Sequence, residues 1–244
     1  GGQNFMIVDS SALTEQVVDD AIESGFNSAG QRCSALRVLA IQDEVYNKTI
    51  NMLIGATKKL KIGLPYLLDT DIGPLIDIEA KNRILKHLDR FKEKILFSSE
   101  LDKNLDGFFV QPTIIEINDL KEIDEEVFGP ILHIVRYSSD KLDNLVDEIN
   151  NLNYGLTLGI HSRIDNTINF ISNNVNVGNI YINRNITGAV VGSQPFGGRG
   201  LSGTGPKAGG PNYLLNLLNE KTLSNDITAS GGNTSLLMLS DEND

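Results

Sequence analysis

Apolar positions along this chain follow two rhythms. Short apolar runs with β-branched members stand at residues 5–8, 36–41, 131–137, 156–161 and 179–183, and each predicts a strand of a buried sheet. Between them apolar residues return every third or fourth position. Leu13, Val17, Ala21, Ile22 and Phe26 predict a helix over 12–26, with Asp9, Ser10 and Ser11 as capping residues ahead of it. Val45, Met52, Leu53, Ala56 and Leu60 predict an inward face on a helix over 43–61, and Ile84, Leu85, Leu88 and Phe91 do the same over 78–92. Two more helices are predicted over 141–152 and 164–175. Residues 95–97 and 108–110 are strand candidates, and Pro112 makes 113–117 an edge strand or a new one. Strands alternating with helices predict an α/β fold with a largely parallel sheet.

Glycine and proline interrupt this pattern in two places. Gly63, Pro65, Gly73 and Pro74 mark a long loop, and residues 187–211 are too glycine-rich for regular structure. A loop of the second kind in a compact domain is usually functional. Within it Gly198 to Gly203 spells G-x-G-x-x-G, which binds a dinucleotide only between a strand and a helix. Pro195-Phe196 before it and Gly205-Pro206 after it do not supply that context, so a phosphate-binding role is rejected. The tail from 223 to 244 is polar around an apolar patch at 236–239, and reads as a docked strand or a frayed end.

Composition narrows the classes. The 244 residues are 40% hydrophobic and 22% charged, as in a soluble globular protein of one or two domains. A net charge of −11 argues against nucleic acid as a partner and against an anionic membrane surface. No apolar run approaches a membrane span, and no secretory start is present, so a cytoplasmic location is expected. The chain begins at Gly1 rather than Met, as a piece of a longer protein would.

One residue cannot be explained by pairing. Cys33 is the single cysteine, set among small neighbours (Gly30, Ser34, Ala35) and preceded by Arg32. It reads either as an accessible nucleophile or as a small buried hydrophobe. His87, His133 and His161 show no metal-ligand spacing, so no metal is expected. Glu126 on its own belongs to an acidic run with Glu122, Asp124 and Glu125, the usual mark of a solvated face.

Four ordered segments carry a resemblance that alters these readings. Gly30-Gln31-Arg32-Cys33 resembles the active-site cysteine segment of the aldehyde dehydrogenase superfamily. Gly1-Gly2-Gln3-Asn4 resembles the stretch just after that family's general-base glutamate, and Glu126-Val127-Phe128-Gly129-Pro130 its nicotinamide-ribose motif. Pro195-Phe196-Gly197-Gly198 with Ser202-Gly203 resembles its substrate-side loop. Within the superfamily, Ser34 and the stretch 187–192 are similar to L-glutamate γ-semialdehyde (1-pyrroline-5-carboxylate) dehydrogenases. Residues 203–211 and 228–233 are similar to their bifunctional, proline-utilising branch.

The resemblance implies an α/β aldehyde dehydrogenase catalytic domain that lacks most of the NAD-binding domain. It divides the chain into 1–26, the end of the cofactor region and a helix leading to the nucleophile; 27–212, the catalytic domain; and 213–244, a C-terminal helix, an oligomerisation strand and a tail. The implied reaction is NAD-dependent oxidation of L-glutamate γ-semialdehyde to glutamate through a thiohemiacetal and a thioester on Cys33. Glu126 and Phe128 are the implied cofactor contacts, and Ser34, Gly188, Ala189 and Phe196 the implied substrate contacts. The family's general base and its asparagine oxyanion donor would lie upstream of Gly1, so the isolated chain is expected to be inactive. A homo-oligomer or a complementing upstream chain is implied, and FAD only in a separate proline dehydrogenase domain of a bifunctional protein. Two alternatives remain: another ω-carboxylate semialdehyde, or a non-catalytic fragment of a split gene.

Overall fold

The computed structural model describes residues 1–102 and 104–226. The tail over 223–244 falls mostly outside these residues, and its apolar patch at 236–239 wholly so. In chain order the elements are β1 (Asn4–Val8), α1 (Thr14–Phe26), β2 (Leu36–Gln42), α2 (Asp43–Thr57), α3 (Ile78–Arg90), β3 (Ile95–Ser98), β4 (Thr113–Ile117) and β5 (Ile131–Tyr137). They continue with α4 (Leu142–Asn151), β6 (Tyr154–Gly155), β7 (Thr157–His161), α5 (Asp165–Asn174), β8 (Asn179–Ile182) and β9 (Arg199–Gly200).

Seven strands form one sheet in the order β3-β4-β5-β2-β1-β7-β8. Every neighbouring pair is parallel except β3 with β4. The fold class read from the sequence therefore holds. β1 and β2 lie at the centre and are buried along their whole lengths, which explains why 5–8 is wholly apolar and 36–41 apolar but for Arg37. Successive side chains on β5 point to opposite faces: Leu132 lies beside Gly25 of α1, and His133 meets His87 of α3. Helices therefore cover both sides of the sheet, α1 on one and α3 on the other.

Several local expectations need correction. Residues 108–110 form no strand, although Phe109 and Val110 are buried. Of the two readings of 113–117 the new strand holds and the edge does not, since it lies between β3 and β5; Pro112 precedes the strand, so its missing N–H breaks no ladder. Asp9 does not cap α1, whose N-cap position, Leu13, has no side-chain cap. The Asp9 carboxylate instead accepts from the Ser11 N–H at 2.7 Å and from the hydroxyls of Ser11 and Ser162. α2 stops at Thr57; Val45, Met52, Leu53, Ala56 and Leu60 pack on the core as expected, and Tyr46, Thr49, Ile50 and Thr57 are buried as well. Thr49 and Thr57 tolerate burial because their hydroxyls donate to the Val45 and Leu53 carbonyls, both at 2.8 Å. Leu13 and Leu85, expected inward, are exposed.

The glycine-rich stretch is irregular apart from the short β6–β9 pairing and a bridge between Phe196 and Ala208. No helix follows Gly198 to Gly203 before the 3-10 turn Leu214–Leu217. Among the described residues, no helix is long and apolar enough to cross a membrane.

Candidate functional site

α1 ends at Phe26, and the chain then turns through three successive left-handed residues, Ser28, Ala29 and Gly30, with φ of 56°, 53° and 66°. Two of these are not glycine, and this backbone costs an L-residue about 1–2 kcal/mol. Surrounding bonds hold it. Gln31 N–H donates to the Ser28 carbonyl at 3.0 Å, and Arg32 Nε to the Ser28 hydroxyl at 3.0 Å. The Gln31 side chain donates to the Pro74 carbonyl at 3.1 Å and accepts from the Ile76 N–H at 2.9 Å.

The reversal delivers Arg32-Cys33-Ser34-Ala35, a turn closed by Ala35 N–H donating to the Arg32 carbonyl at 3.0 Å. Asn4, buried at the start of β1, supports the turn from below. Its Nδ2 donates to the Cys33 and Ala35 carbonyls, each at 2.8 Å, and its Oδ1 accepts from Thr157 N–H at 3.2 Å. Central strands β1 and β7 thus fix the turn, while the Cys33 side chain stays exposed. Of the two readings of this cysteine, the buried hydrophobe fails.

Two cavities flank the turn. One, of about 520 Å³, is lined by Cys33, Ser34, Gly188, Ala189, Val191 and Phe196, among others. All the residues expected to touch substrate therefore meet around the thiol. The other, of about 400 Å³, is lined by Glu126, Phe128, Gln31, Ile84 and His87 among others, and holds both expected cofactor contacts. Gln31 borders one cavity and Arg32 the other, so a single step of the chain separates them.

The loop across from the thiol is rooted in α1. Gln16 Nε2 donates to the Asn183 carbonyl at 2.6 Å, and the Ser24 hydroxyl accepts from Ile186 N–H at 3.0 Å. Asn183, at φ 51°, exchanges side-chain bonds with the Ser162 N–H (3.0 Å) and carbonyl (2.9 Å) at the end of β7. Beyond this root, Gly188 has φ of 78°. Among the described residues, the N–H groups of Cys33, Gly188 and Ala189 donate to no protein acceptor. Phe196 is fixed by exchanging backbone bonds with Ala208 at 3.1 and 2.9 Å.

Sequence reasoning missed Arg37. Its side chain is 1% exposed, and it donates to the carbonyls of Gly30 (2.7 Å), Arg32 (3.1 Å) and Gly129 (3.3 Å). It also pairs with Glu126 at 3.5 Å and stacks 5.1 Å from the centre of the Phe128 ring. Burial pushes its pKa down to about 10, with the Glu126 charge opposing the fall. The available signal was an arginine inside an apolar strand, since long charged side chains are almost never fully buried without partners. Also missed was the contact of His87 with His133, ring nitrogens 2.9 Å apart. His133 Nδ1 lies 3.1 Å from the Arg37 carbonyl and must donate there, so its Nε2 accepts from His87. Burial pushes His133 down to about 3 and His87 to about 4, so both are neutral at pH 7.

The Glu126 Oε1 atom is buried and accepts no hydrogen bond among the described residues. A carboxylate lining a cavity with an aromatic ring beside it suits a ribose and a flat heterocycle. An exposed thiol beside unpaired N–H groups suits a carbonyl group.

Comparison with known proteins gives the family of the chain. The profile described as "Aldehyde dehydrogenase family" matches residues 1–223. The bifunctional protein PutA of Klebsiella aerogenes is 55% identical over 229 residues, covering 91% of this chain and 18% of that protein. A variant of proline utilization A (PutA) from Bradyrhizobium japonicum superposes with a TM-score of 0.88 at 51% identity, over 95% of this chain and 24% of that one. The 1-pyrroline-5-carboxylate dehydrogenase from Thermus with bound NAD gives a TM-score of 0.81 at 31% identity, over 88% of this chain and 42% of that one. The chain thus spans less than half the length of each of these relatives. With the profile matching nearly all the described residues and the cysteine turn between two cavities, the chain belongs to the aldehyde dehydrogenase family.

Proposed function

We propose that this chain is the catalytic part of an NAD-dependent L-glutamate γ-semialdehyde dehydrogenase, with Cys33 as nucleophile. The observation that carries the reading is the exposed thiol in a rigid turn between two cavities. An aldehyde carbon becomes a hydride donor only after a nucleophile has added to it. The Cys33 sulfur adds to the carbonyl carbon, and the oxygen takes the negative charge beside the free Cys33 N–H, giving a thiohemiacetal after protonation. Glu126 would hold the ribose hydroxyls of NAD, with Phe128 packing beside the nicotinamide. Bound there, NAD would supply the hydride acceptor that turns the thiohemiacetal into a thioester. Water then cleaves the thioester to carboxylate and free Cys33, activated by a base contributed from upstream of Gly1.

The far carboxylate of the substrate is assigned to the Gly188 and Ala189 N–H groups, which form an anion nest without a cation, and to the Ser34 hydroxyl. Phe196 walls the methylene chain between the two ends. The names of the relatives, a bifunctional PutA and a 1-pyrroline-5-carboxylate dehydrogenase, support glutamate semialdehyde over a shorter ω-carboxylate aldehyde. In a bifunctional protein FAD would belong to a separate proline dehydrogenase domain, and the working unit would be an oligomer.

The test is NADH formation by this chain joined to an upstream cofactor-binding segment, with glutamate semialdehyde and succinate semialdehyde compared. Turnover with the first that vanishes in Cys33→Ala is expected. A preference for succinate semialdehyde would overturn the substrate, and activity without Cys33 would overturn the mechanism. The 244-residue polypeptide alone is expected to give no turnover.

A further inference from the structure

Arg37 lies between the two cavities and touches the wall of each. We infer that Arg37 is a positioning residue that couples the Glu126 carboxylate to the Cys33 turn, so that the state of one cavity sets the placement of the thiol in the other.

The geometry is a fork that donates to three carbonyls and faces one counter-ion. Nη1 donates to the carbonyls of Gly30 at 2.7 Å and Gly129 at 3.3 Å. Nη2 donates to the Arg32 carbonyl at 3.1 Å and meets Glu126 Oε1 at 3.5 Å. Gly30 and Arg32 are the third and first residues before Cys33, so holding both carbonyls fixes the path of the chain into the thiol. Gly129 and Glu126 belong to the segment bearing Phe128, whose ring lies under the guanidinium at 5.1 Å. One planar group therefore holds both segments.

Charge makes the link responsive. Among the described residues Glu126 is the only acidic side chain paired with Arg37. A buried cation that loses its counter-ion draws in water or moves toward other acceptors. Its other acceptors are the carbonyls that set the Cys33 turn, so neutralising Glu126 must be felt there. Lysine cannot replace this group, because its compact ammonium does not reproduce a fork that reaches three carbonyls and the Glu126 carboxylate at once.

The catalytic consequence rests on the roles proposed above for Cys33 and Glu126; the coupling itself does not. It is therefore tested on the 244-residue chain with Glu126→Gln, which removes the charge and keeps the shape. Two rates are read: alkylation of Cys33 by iodoacetamide, and amide hydrogen exchange over residues 28–35. Exchange about fivefold or more faster there, an altered alkylation rate and no change in α5 are expected. Both rates equal to those of the parent chain would overturn the coupling. Arg37→Lys should shift both rates the same way; if it fails to fold, Glu126→Gln decides alone. In the chain joined to its cofactor-binding segment, Arg37→Lys should lower kcat about 100-fold with little change in KM for the aldehyde. Coupling in the thiol rates with no effect of Glu126→Gln on KM for NAD would overturn the cofactor role of Glu126 and leave the coupling standing.

Discussion

Gly30 and Gly129 meet with no room for a side chain between them: a Cβ on Gly30 would overlap the Gly129 carbonyl oxygen. Gly30 also sits at φ 66°, where a side chain is strained even in open space. Gly188 sits at φ 78° with nothing within 4 Å of its would-be Cβ, so the two glycines separate backbone strain from crowding. Gly188→Ala should cost about 1–2 kcal/mol, the backbone strain alone. Gly30→Ala should cost clearly more, because Gly129 must also shift. Urea denaturation of both variants measures the difference, and equal costs would show that the contact can relax.

Exposure of Cys33 gives the next expectation. Iodoacetamide should label it in the folded chain, without denaturant, as a single adduct found by mass spectrometry. Cys33→Ala should change stability by no more than about 0.5 kcal/mol, as for other exposed substitutions. Labelling that requires denaturant would contradict the exposed placement.

The proposed carboxylate nest can be removed one donor at a time. Ala189→Pro deletes an N–H that has no protein acceptor, so no internal bond is lost. In the enzyme with its cofactor-binding segment, KM should rise about tenfold for glutamate semialdehyde, the worth of roughly one hydrogen bond to a charged group. KM for an uncharged aldehyde of similar length should hardly move. A parallel rise for both would mean that the loop shapes the cavity and does not read the carboxylate.

Stability should fall with acid because of the buried histidine pair. His87 and His133 are held at about 4 and about 3, below the value of 6.5 that they regain on unfolding. Between those limits the unfolded state binds more protons, so stability rises with pH. The contribution is complete above pH 6.5 and is lost as pH falls toward 4 and then 3. A tenfold change in proton affinity corresponds to about 1.4 kcal/mol, so the loss is of order several kcal/mol. His161, also buried and held at about 4, adds in the same sense. Urea midpoints at pH 7 and pH 5 should lie closer together in His87→Gln than in the parent chain. An unchanged gap would mean that His87 does not titrate on unfolding.

How much of this was legible follows from the range of each interaction. β1, β2, β5 and β7 were readable because a buried parallel strand needs apolar side chains on both faces. That Cys33, Glu126 and Phe128 would border cavities was legible because their neighbours in sequence carry the resemblance. The inward face over 43–61 was legible, since Val45, Met52, Leu53, Ala56 and Leu60 all pack on the core, but Thr49 and Thr57 were not, because they hide their hydroxyls in bonds to the preceding turn, which composition does not reveal. Phe109 and Val110 look like a strand because they are buried, yet they pair with no neighbour. Arg37 and Asn4 act on partners up to 92 and 153 residues away, and no local pattern announces a contact of that span.

The grip of α1 on the chain at Asn183 and Ile186 has a metrical consequence. The same helix that roots the loop before Gly188 runs directly into the turn bearing Cys33. The two ends of the cavity are therefore mounted on one rigid bar. Under the proposed roles, motion of that helix would carry thiol and nest together, and the cavity would act as a length gauge. With the roles proposed here, an aldehyde one carbon too short would reach the sulfur with its carboxylate still clear of Gly188 and Ala189. One carbon too many would have to buckle against Phe196, so discrimination by reach would survive warming until α1 itself gives way.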